Sequence, residues 1–287
     1  MKFWQVVSFA EPEQLVGIAQ AAEEAGFYGV VLSDHLFFPG KLESKYPYSA
    51  DGVPGFDGTT PFPDPWATMS AMSSATKTLV FATGVYILPL RHPVEVAKSV
   101  GTAALLSGGR VVLGAGAGWV REEFDALGVP FKGRGKRMDE MIEILRLLWS
   151  GEMVEYQGEI FDLPAMQMTP APPAQVPLYF GGISERALRR TARVGQGWFG
   201  TGQTEEEAVE ILGKIQKYRE EYGTANEPFD AMVPLVVPPD PDLFARLAEK
   251  GMTSTTLYPF LYTLGPTSTL DQKRDAMMRF SEAFIQR

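Results

Sequence analysis

Short apolar runs alternate with longer amphipathic segments along almost the whole chain. Eight of the apolar runs have the length and composition of buried strands. They cover residues 3–9, 30–32, 79–86, 111–113, 178–180, 197–199, 231–237 and 255–258. After each run, apolar residues recur three or four positions apart, as they do on one face of a helix. The predicted helices cover residues 12–25, 64–75, 93–107, 138–150, 184–194, 205–222, 242–250 and 270–285.

This rhythm of strand and helix predicts one α/β domain over residues 1–287, a (β/α)8 TIM barrel with insertions in its βα loops. Several helices end at a glycine just before the next strand, as αβ turns commonly do. These glycines are Gly26, Gly109, Gly195 and Gly251. Eight right-handed βα units close as a barrel. A doubly wound open sheet is the alternative.

Two segments interrupt the rhythm. Residues 36–63 are rich in proline, glycine and aromatic residues and have no period, so we interpret them as a lid over the barrel mouth. Residues 152–176 predict a hairpin that turns at Gln157 and Gly158, followed by an irregular, proline-rich linker from residue 164 onward. The linker does not mark a domain boundary, because the strand–helix pattern resumes after it.

Between these two segments, the tract Arg121–Asp125 is predicted to form an acidic turn.

Composition narrows the chemistry. The 287 residues are 45% hydrophobic and 21% charged, as in an ordinary globular protein. A net charge of -9 argues against a nucleic-acid or anionic membrane surface. There is no cysteine, no run of 18 apolar residues and no signal peptide, so we expect a cytoplasmic protein. With only two histidines, a multi-histidine metal site is not expected.

The fourth predicted strand leads into three glycines at alternate positions, Gly114, Gly116 and Gly118. This spacing matches neither the dinucleotide fingerprint nor the phosphate loop that ends in Lys-Ser/Thr. Two interpretations remain open. The glycines could let the backbone approach a flat or anionic ligand, or they could belong to a closely packed barrel strand.

Unusual residues cluster where the predicted strands end, which is where TIM barrels carry their active sites. Asp34 and His35 follow the second strand, and His35 is the candidate proton donor or hydrogen-bond partner. The other histidine, His92, precedes a helix and is expected to cap it. After the fifth strand, Gly181, Gly182 and the helix cap Ser184 would present backbone N–H groups to an anion. Arg186 in the first turn of that helix either contacts such an anion or belongs to a solvated face.

The sequence resembles the bacterial luciferase-like superfamily, and within it the branch that uses the deazaflavin coenzyme F420. The resemblance covers nearly the whole chain and is carried by the motifs SDH, TGV with LPLRHP, SGGRVVLGAGAGWVREEFDALGVPFKGRGKRMDE and PLYFGG. It implies a TIM barrel that holds the deazaflavin ring at its mouth. It also implies an oxidoreductase that transfers hydride between F420 and a small organic substrate. Superfamily members are commonly homodimers.

The resemblance assigns roles to residues of this chain. Asp34 and His35 would lie near the reactive face of the ring, with His35 as the catalytic residue. The peptide between Gly84 and Val85 would support the other face as a bulge with a non-prolyl cis bond. Thr83 is expected to hydrogen-bond this displaced backbone. The remaining cofactor-binding positions would be Ala117 and Gly118 beside the ring and Gly181, Gly182, Ile183, Ser184 and Arg186 around the phosphate.

One position departs from the family pattern. Trp119 stands where the sugar-phosphate dehydrogenases of this branch carry a glutamate, so it would shape the substrate pocket instead. Two alternatives remain. One is an FMN-dependent monooxygenase that uses reduced flavin and dioxygen, and the other is a flavin-binding relative that has lost catalysis.

Overall fold

The computed structural model describes residues 1–285, and in this range the chain alternates strands with helices. The strands are β1 (Lys2–Val6), β2 (Gly29–Leu32), β3 (Val80–Thr83), β4 (Tyr86–Ile87), β5 (Val111–Gly116), β6 (Met153–Gln157), β7 (Asp162–Gln167), β8 (Leu178–Gly181), β9 (Gly197–Phe199), β10 (Asp230–Met232) and β11 (Ser254–Leu257). The helices are α1 (Leu15–Glu24), α2 (Pro65–Ser74), α3 (Pro93–Leu106), α4 (Arg121–Ala126), α5 (Arg134–Leu148), α6 (Glu185–Val194), α7 (Glu205–Tyr222), α8 (Pro241–Glu249), α9 (Phe260–Leu264) and α10 (Leu270–Phe284).

Eight strands form a closed parallel barrel. Around the barrel they run in the order β1, β2, β3, β5, β8, β9, β10 and β11, and β11 pairs again with β1. The sheet closes where β3 pairs with β5, with Phe81 opposite Val111. Helices follow the strands on the outside. The predicted TIM barrel is therefore confirmed.

Alternation along the strands divides the core into two layers. Phe3 faces the helices and its neighbour Trp4 faces the barrel interior, as the period of two requires. The interior cluster consists of Trp4, Val31, Ala82, Val112, Tyr179, Phe199 and Met232. Glycine makes room for its largest member, because a Cβ on Gly29 would lie 2.3 Å from a ring carbon of Trp4. The barrel is filled at this level, which leaves only its mouth for a ligand.

Three local predictions were wrong. The tract Arg121–Asp125, predicted as an acidic turn, is part of helix α4. The predicted linker begins as strand β7, which pairs antiparallel with β6 and accommodates Pro164 in a two-stranded hairpin. The predicted strand at 231–237 ends at Met232, shortly before Pro234, which has no N–H to donate to a sheet. Within residues 1–285, no helix has both the length and the apolar character needed to cross a bilayer.

Glu23, near the end of α1, ties this helix to the turn before β3. One of its carboxylate oxygens accepts hydrogen bonds from the backbone N–H groups of Lys77 at 2.8 Å, Thr78 at 2.6 Å and Leu79 at 2.9 Å. Partial burial acts to raise the pKa of Glu23, but these donors outweigh it and lower the pKa to about 2.

We predict that Glu23→Gln lowers the free energy of unfolding by about 1–3 kcal/mol near neutral pH, since an amide is a weaker acceptor for charge-assisted hydrogen bonds. The folded pKa lies below the ordinary 4.5, so the carboxylate's contribution is complete above about pH 4.5 and is lost as the pH falls toward about 2. Urea unfolding should therefore separate the two proteins at about pH 7 and much less at about pH 3. The exposed Glu13→Gln serves as control, and an equal difference at both pH values would contradict the assignment.

Candidate active site

A cavity of about 700 Å³ lies at the carboxyl ends of the barrel strands. All eight barrel strands or the loops after them contribute to its wall, and the 36–63 lid closes part of it. A volume of this size is in the range of pockets that bind cofactors and drug-sized molecules. Every site residue predicted from the sequence can therefore be located relative to one cavity.

His35 lines the cavity, and its imidazole is held from behind by a buried glutamate. Nδ1 of His35 lies 3.1 Å from Oε2 of Glu123, whose side chain is 0% exposed. The second oxygen, Oε1, accepts the backbone N–H of Leu36 at 2.8 Å. Nε2 of His35 makes no hydrogen bond to any residue in 1–285 and is the ring nitrogen left for a ligand.

Aromatic side chains surround this imidazole. The ring centroids of Phe56 and Phe62, both from the lid, lie 5.1 Å from that of His35. Trp119 lies 5.9 Å away on the other side and contacts Tyr46 of the lid at 5.2 Å. His35 therefore meets a ligand in a largely apolar setting, where water is displaced and polar interactions are strengthened.

Asp34 also reaches the cavity wall, but its carboxylate is occupied. Its two oxygens accept from Nη1 and Nη2 of Arg91 at 2.6 and 2.7 Å, and one of them also accepts the N–H of Ile87 at 2.8 Å. Burial acts to lower the pKa of Arg91, but the hydrogen bonds and charge of Asp34 outweigh it and raise that pKa. The adjacent residues Asp34 and His35 thus hold different partners, and Asp34 links the end of β2 to the segment after β4.

The backbone between β3 and β4 forms the floor of the cavity. The Gly84–Val85 peptide bond is cis, as predicted from the resemblance. Thr83 does not hydrogen-bond this peptide, contrary to expectation: its hydroxyl is fully buried and donates to the carbonyl of Gly114 at 2.8 Å. Instead, the hydroxyl of Ser33 approaches the carbonyl oxygen of Gly84 at 3.4 Å.

Gly116 of β5 and Gly181 of β8 make room for Val85. A Cβ on Gly116 would lie 2.5 Å from one methyl group of Val85, and a Cβ on Gly181 would lie 2.8 Å from the other. For Gly116, the tight packing of strands is therefore the better interpretation. Gly116, Ala117 and Gly118 all line the cavity. The carbonyl of Gly118 accepts from Nε of Arg134 at 3.0 Å.

The start of α6 forms a second wall. Gly182 has φ +103°, a conformation that favours glycine, and Ser184 caps the helix by accepting from the N–H of Ala187. The N–H groups of Glu185 and Arg186 have no acceptor among residues 1–285. They meet the requirement for an anion site at a helix N-terminus that opens into the cavity.

The arginines of α6 differ in their partners. Arg189 pairs with two glutamates, and Arg190 and Arg193 both contact Asp139. Arg186 is exposed and makes no ion pair within the described part of the chain. Within the described residues, Arg189, Arg190 and Arg193 therefore form a structural face, and Arg186 is the arginine of α6 whose charge stays unpaired.

Ten of the thirteen predicted site residues line the cavity. They are Asp34, His35, Gly84, Val85, Ala117, Gly118, Trp119, Gly181, Gly182 and Ser184. Thr83 is buried behind the wall, and the side chains of Ile183 and Arg186 point to solvent at the rim. His92 lies away from the site, where it accepts from the N–H of Val94 at the start of α3, as expected of a helix cap.

Sequence reasoning missed the residues that hold the site in place. Glu122 and Glu123 were read as part of an acidic turn, and Arg91 and Arg134 were given no role in the site. A helical reading of the tract 121–126 would have shown that its neighbouring glutamates point in different directions. The sequence of this tract was therefore the signal from which the two glutamates could have been recognised as site residues.

The lid is attached through Glu122. One carboxylate oxygen accepts the N–H groups of Glu43 at 2.6 Å and Ser44 at 2.9 Å, and the other accepts the Ser44 hydroxyl at 2.7 Å. Partial burial acts to raise the pKa of Glu122, but the bonds from Ser44 and the neighbouring backbone lower it to about 2. At the opposite side, the hydroxyl of Tyr262 donates to the carbonyl of Gly55 at 3.1 Å.

The chain is similar to a known protein family and to several of its members. A family model described as luciferase-like monooxygenase matches residues 5–261. An uncharacterised protein of Mycobacterium tuberculosis is 36% identical, and the match covers 99% of each chain. The F420-dependent glucose-6-phosphate dehydrogenase of Microbacterium testaceum is 29% identical over 80% of this chain and 66% of its own.

A solved structure extends the comparison to the fold. The F420-dependent secondary alcohol dehydrogenase, determined in complex with an F420–acetone adduct, superposes with a TM-score of 0.77 at 17% identity. The superposition covers 98% of this chain and 97% of that protein. At this identity the likeness supports the barrel architecture.

We predict that Glu122→Ala makes the lid more accessible to trypsin, which cleaves after Lys41 and Lys45 on either side of the anchored segment. Cleavage there should be about threefold to tenfold faster, because hydrogen bonds of this kind contribute about 1 kcal/mol or more to local stability. The control is Glu206→Ala, which removes an exposed glutamate of α7 that makes no hydrogen bond within residues 1–285. Equal cleavage rates in all three proteins would show that Glu122 does not hold the lid.

Proposed function

The chain belongs to the luciferase-like monooxygenase family, and on this basis we propose that it is an oxidoreductase that transfers hydride between coenzyme F420 and an organic substrate. The observation that carries the proposal is the cavity at the barrel mouth. It combines a wall formed by the Gly84–Val85 peptide, the capped start of α6 with its unpartnered N–H groups, and one histidine whose Nε2 makes no hydrogen bond within residues 1–285.

The residues present fit a deazaflavin cofactor. Val85 and the Gly84 peptide offer a supporting surface for a planar ring, and Ala117 and Gly118 leave room beside it. Gly182, Ser184 and the free N–H groups at the start of α6 would hold a phosphate, with Arg186 in reach at the rim. The name of a related protein, the F420-dependent glucose-6-phosphate dehydrogenase, supports F420 over FMN.

The chain's own residues would prepare the substrate. When bound, F420 supplies a ring carbon that accepts or donates a hydride, which is the difficult part of the reaction. Nε2 of His35 would hold or move the proton of the substrate's oxygen atom. Phe56, Phe62 and Trp119 would exclude water around that group.

The cavity wall favours an uncharged substrate with an apolar body. Among the described residues, the cations that line it are Lys45, which is exposed, and Arg134, which is bonded to the carbonyl of Gly118. Trp119 also replaces the glutamate of the sugar-phosphate dehydrogenases. We therefore propose a small organic molecule that reacts at a hydroxyl or carbonyl group, handled by a cytoplasmic homodimer.

A second candidate is an FMN-dependent monooxygenase, because the matching family model is described as luciferase-like monooxygenase. The same cavity would then hold reduced flavin, and dioxygen would be the second substrate. A flavin-binding carrier without catalysis is the third. Cofactor affinity separates the first two, and turnover with either cofactor would exclude the third.

We predict that F420 binds at least tenfold more tightly than FMN in parallel fluorescence titrations, a difference of about 1.4 kcal/mol. Arg186→Gln should weaken F420 binding, whereas Arg193→Gln, on the same helix but paired with Asp139, should not. FMN binding tenfold tighter than F420 would make the monooxygenase the better assignment. Equal effects of the two arginine substitutions would remove Arg186 from the site.

We predict that His35→Ala lowers turnover by about 10²-fold or more, the usual scale for losing a general acid or base. The assay is F420 reduction with the best substrate from a panel of primary and secondary alcohols. His92→Asn is the matched control, since it replaces the other histidine with a residue that can still cap α3. Unchanged turnover in a folded His35→Ala protein would return His35 to a structural role.

A further inference from the structure

We propose that Glu123 is a positioning residue, which fixes His35 in the tautomer with the proton on Nδ1 and leaves the lone pair of Nε2 facing the cavity. Its relevance to catalysis rests on the function proposed above. The tautomer itself is a property of the protein without any ligand.

The hydrogen-bonding capacity of Glu123 determines the tautomer. An ionised carboxylate can only accept hydrogen bonds, so the Nδ1 atom at 3.1 Å must carry a proton. The other oxygen is held by the N–H of Leu36 at 2.8 Å, and this bond fixes the orientation of the carboxylate. With the side chain 0% exposed, water cannot replace either donor.

Two other charged groups belong to this part of the site. Asp34 and Arg91 are paired with each other through two hydrogen bonds, and Arg91 also interacts favourably with the charge of Glu123. The remaining neighbours of the imidazole are the rings of Phe56, Phe62 and Trp119. A buried carboxylate needs hydrogen-bond donors, and within the described residues Glu123 has two, Nδ1 of His35 and the N–H of Leu36.

The tautomer decides which ring nitrogen of His35 can accept a proton from a ligand. In the neutral imidazole, one nitrogen donates and the other accepts, so the Nδ1 proton makes Nε2 an acceptor. A substrate hydroxyl could then donate to Nε2. If Nε2 takes up a proton, the imidazolium remains bonded to the carboxylate of Glu123, which stabilises it.

The second histidine provides an internal contrast. Nδ1 of His92 accepts from the backbone N–H of Val94 at 3.3 Å, so in the neutral ring its proton must lie on Nε2. The two histidines of this chain should therefore be opposite tautomers. One spectrum of the whole protein can compare them.

The first experiment is nitrogen-15 NMR of the ligand-free protein with labelled imidazole rings, recorded at a pH where both rings are neutral. Protonated and unprotonated ring nitrogens resonate in separate ranges, and His92→Asn assigns the remaining signals to His35. The expected result is a protonated Nδ1 in His35 and a protonated Nε2 in His92. A neutral His35 with its proton on Nε2 would overturn the proposal, whatever the variants do.

The second experiment uses Glu123→Gln. Glutamine has one acceptor oxygen and one donor group, and the N–H of Leu36 requires the acceptor. The amide NH2 then faces Nδ1 of His35, which must give up its proton. The expected result is a shift of the His35 proton from Nδ1 to Nε2, while His92 is unchanged.

The matched control is Glu122→Gln, which changes the neighbouring carboxylate on α4 but leaves the His35 contact intact. The proton of His35 should stay on Nδ1 in this variant. A folded Glu123→Gln protein in which the proton also stays on Nδ1 would overturn the positioning role. Both NMR experiments use the ligand-free protein, so their results do not depend on cofactor binding. Failure of F420 to bind would therefore refute the proposed function but would not change the tautomer result.

Discussion

The closure of the sheet between β3 and β5 is the constraint on which the rest of the molecule depends. The eight barrel strands are all parallel, so closure brings their carboxyl ends to one rim. The loops that follow these strands must therefore meet at this rim. Residues far apart in sequence, such as His35, Trp119 and Gly182, therefore surround one cavity. The interior below is filled by side chains such as Trp4 and Tyr179, so the rim is where a ligand can enter.

Two buried carboxylates hold the segments of this rim together. Asp34 and Glu123 are both buried carboxylates, and each has donors on both oxygens. Leaving either charge without a partner would be strongly unfavourable, so each one binds a second segment to the end of β2. Asp34 fastens the segment after β4 through Arg91, and Glu123 fastens α4 through His35 and Leu36. The adjacent residues Asp34 and His35 thus connect the end of β2 to two different segments.

The cavity has two surfaces of different character. The floor and the start of α6 are backbone features, with glycine wherever a Cβ would collide. The opposite side is formed by aromatic side chains of the lid and by Trp119. Under the proposed function, the cofactor would lie against the first surface and the second would select the substrate, since loops on a rigid scaffold commonly carry specificity.

The barrel could be predicted from the sequence, because eight apolar runs separated by amphipathic helices have few other ways to be buried. The sequence also placed His35, Gly182 and Ser184 at strand ends, where position along the chain is sufficient. The roles of Glu123 and Arg91 were decided by the tertiary structure alone. Their partners lie more than fifty positions away, and such contacts follow from barrel closure, which no local pattern records. The bond from Thr83 to Gly114 also went against expectation, because it depends on how the neighbouring strands β3 and β5 are aligned.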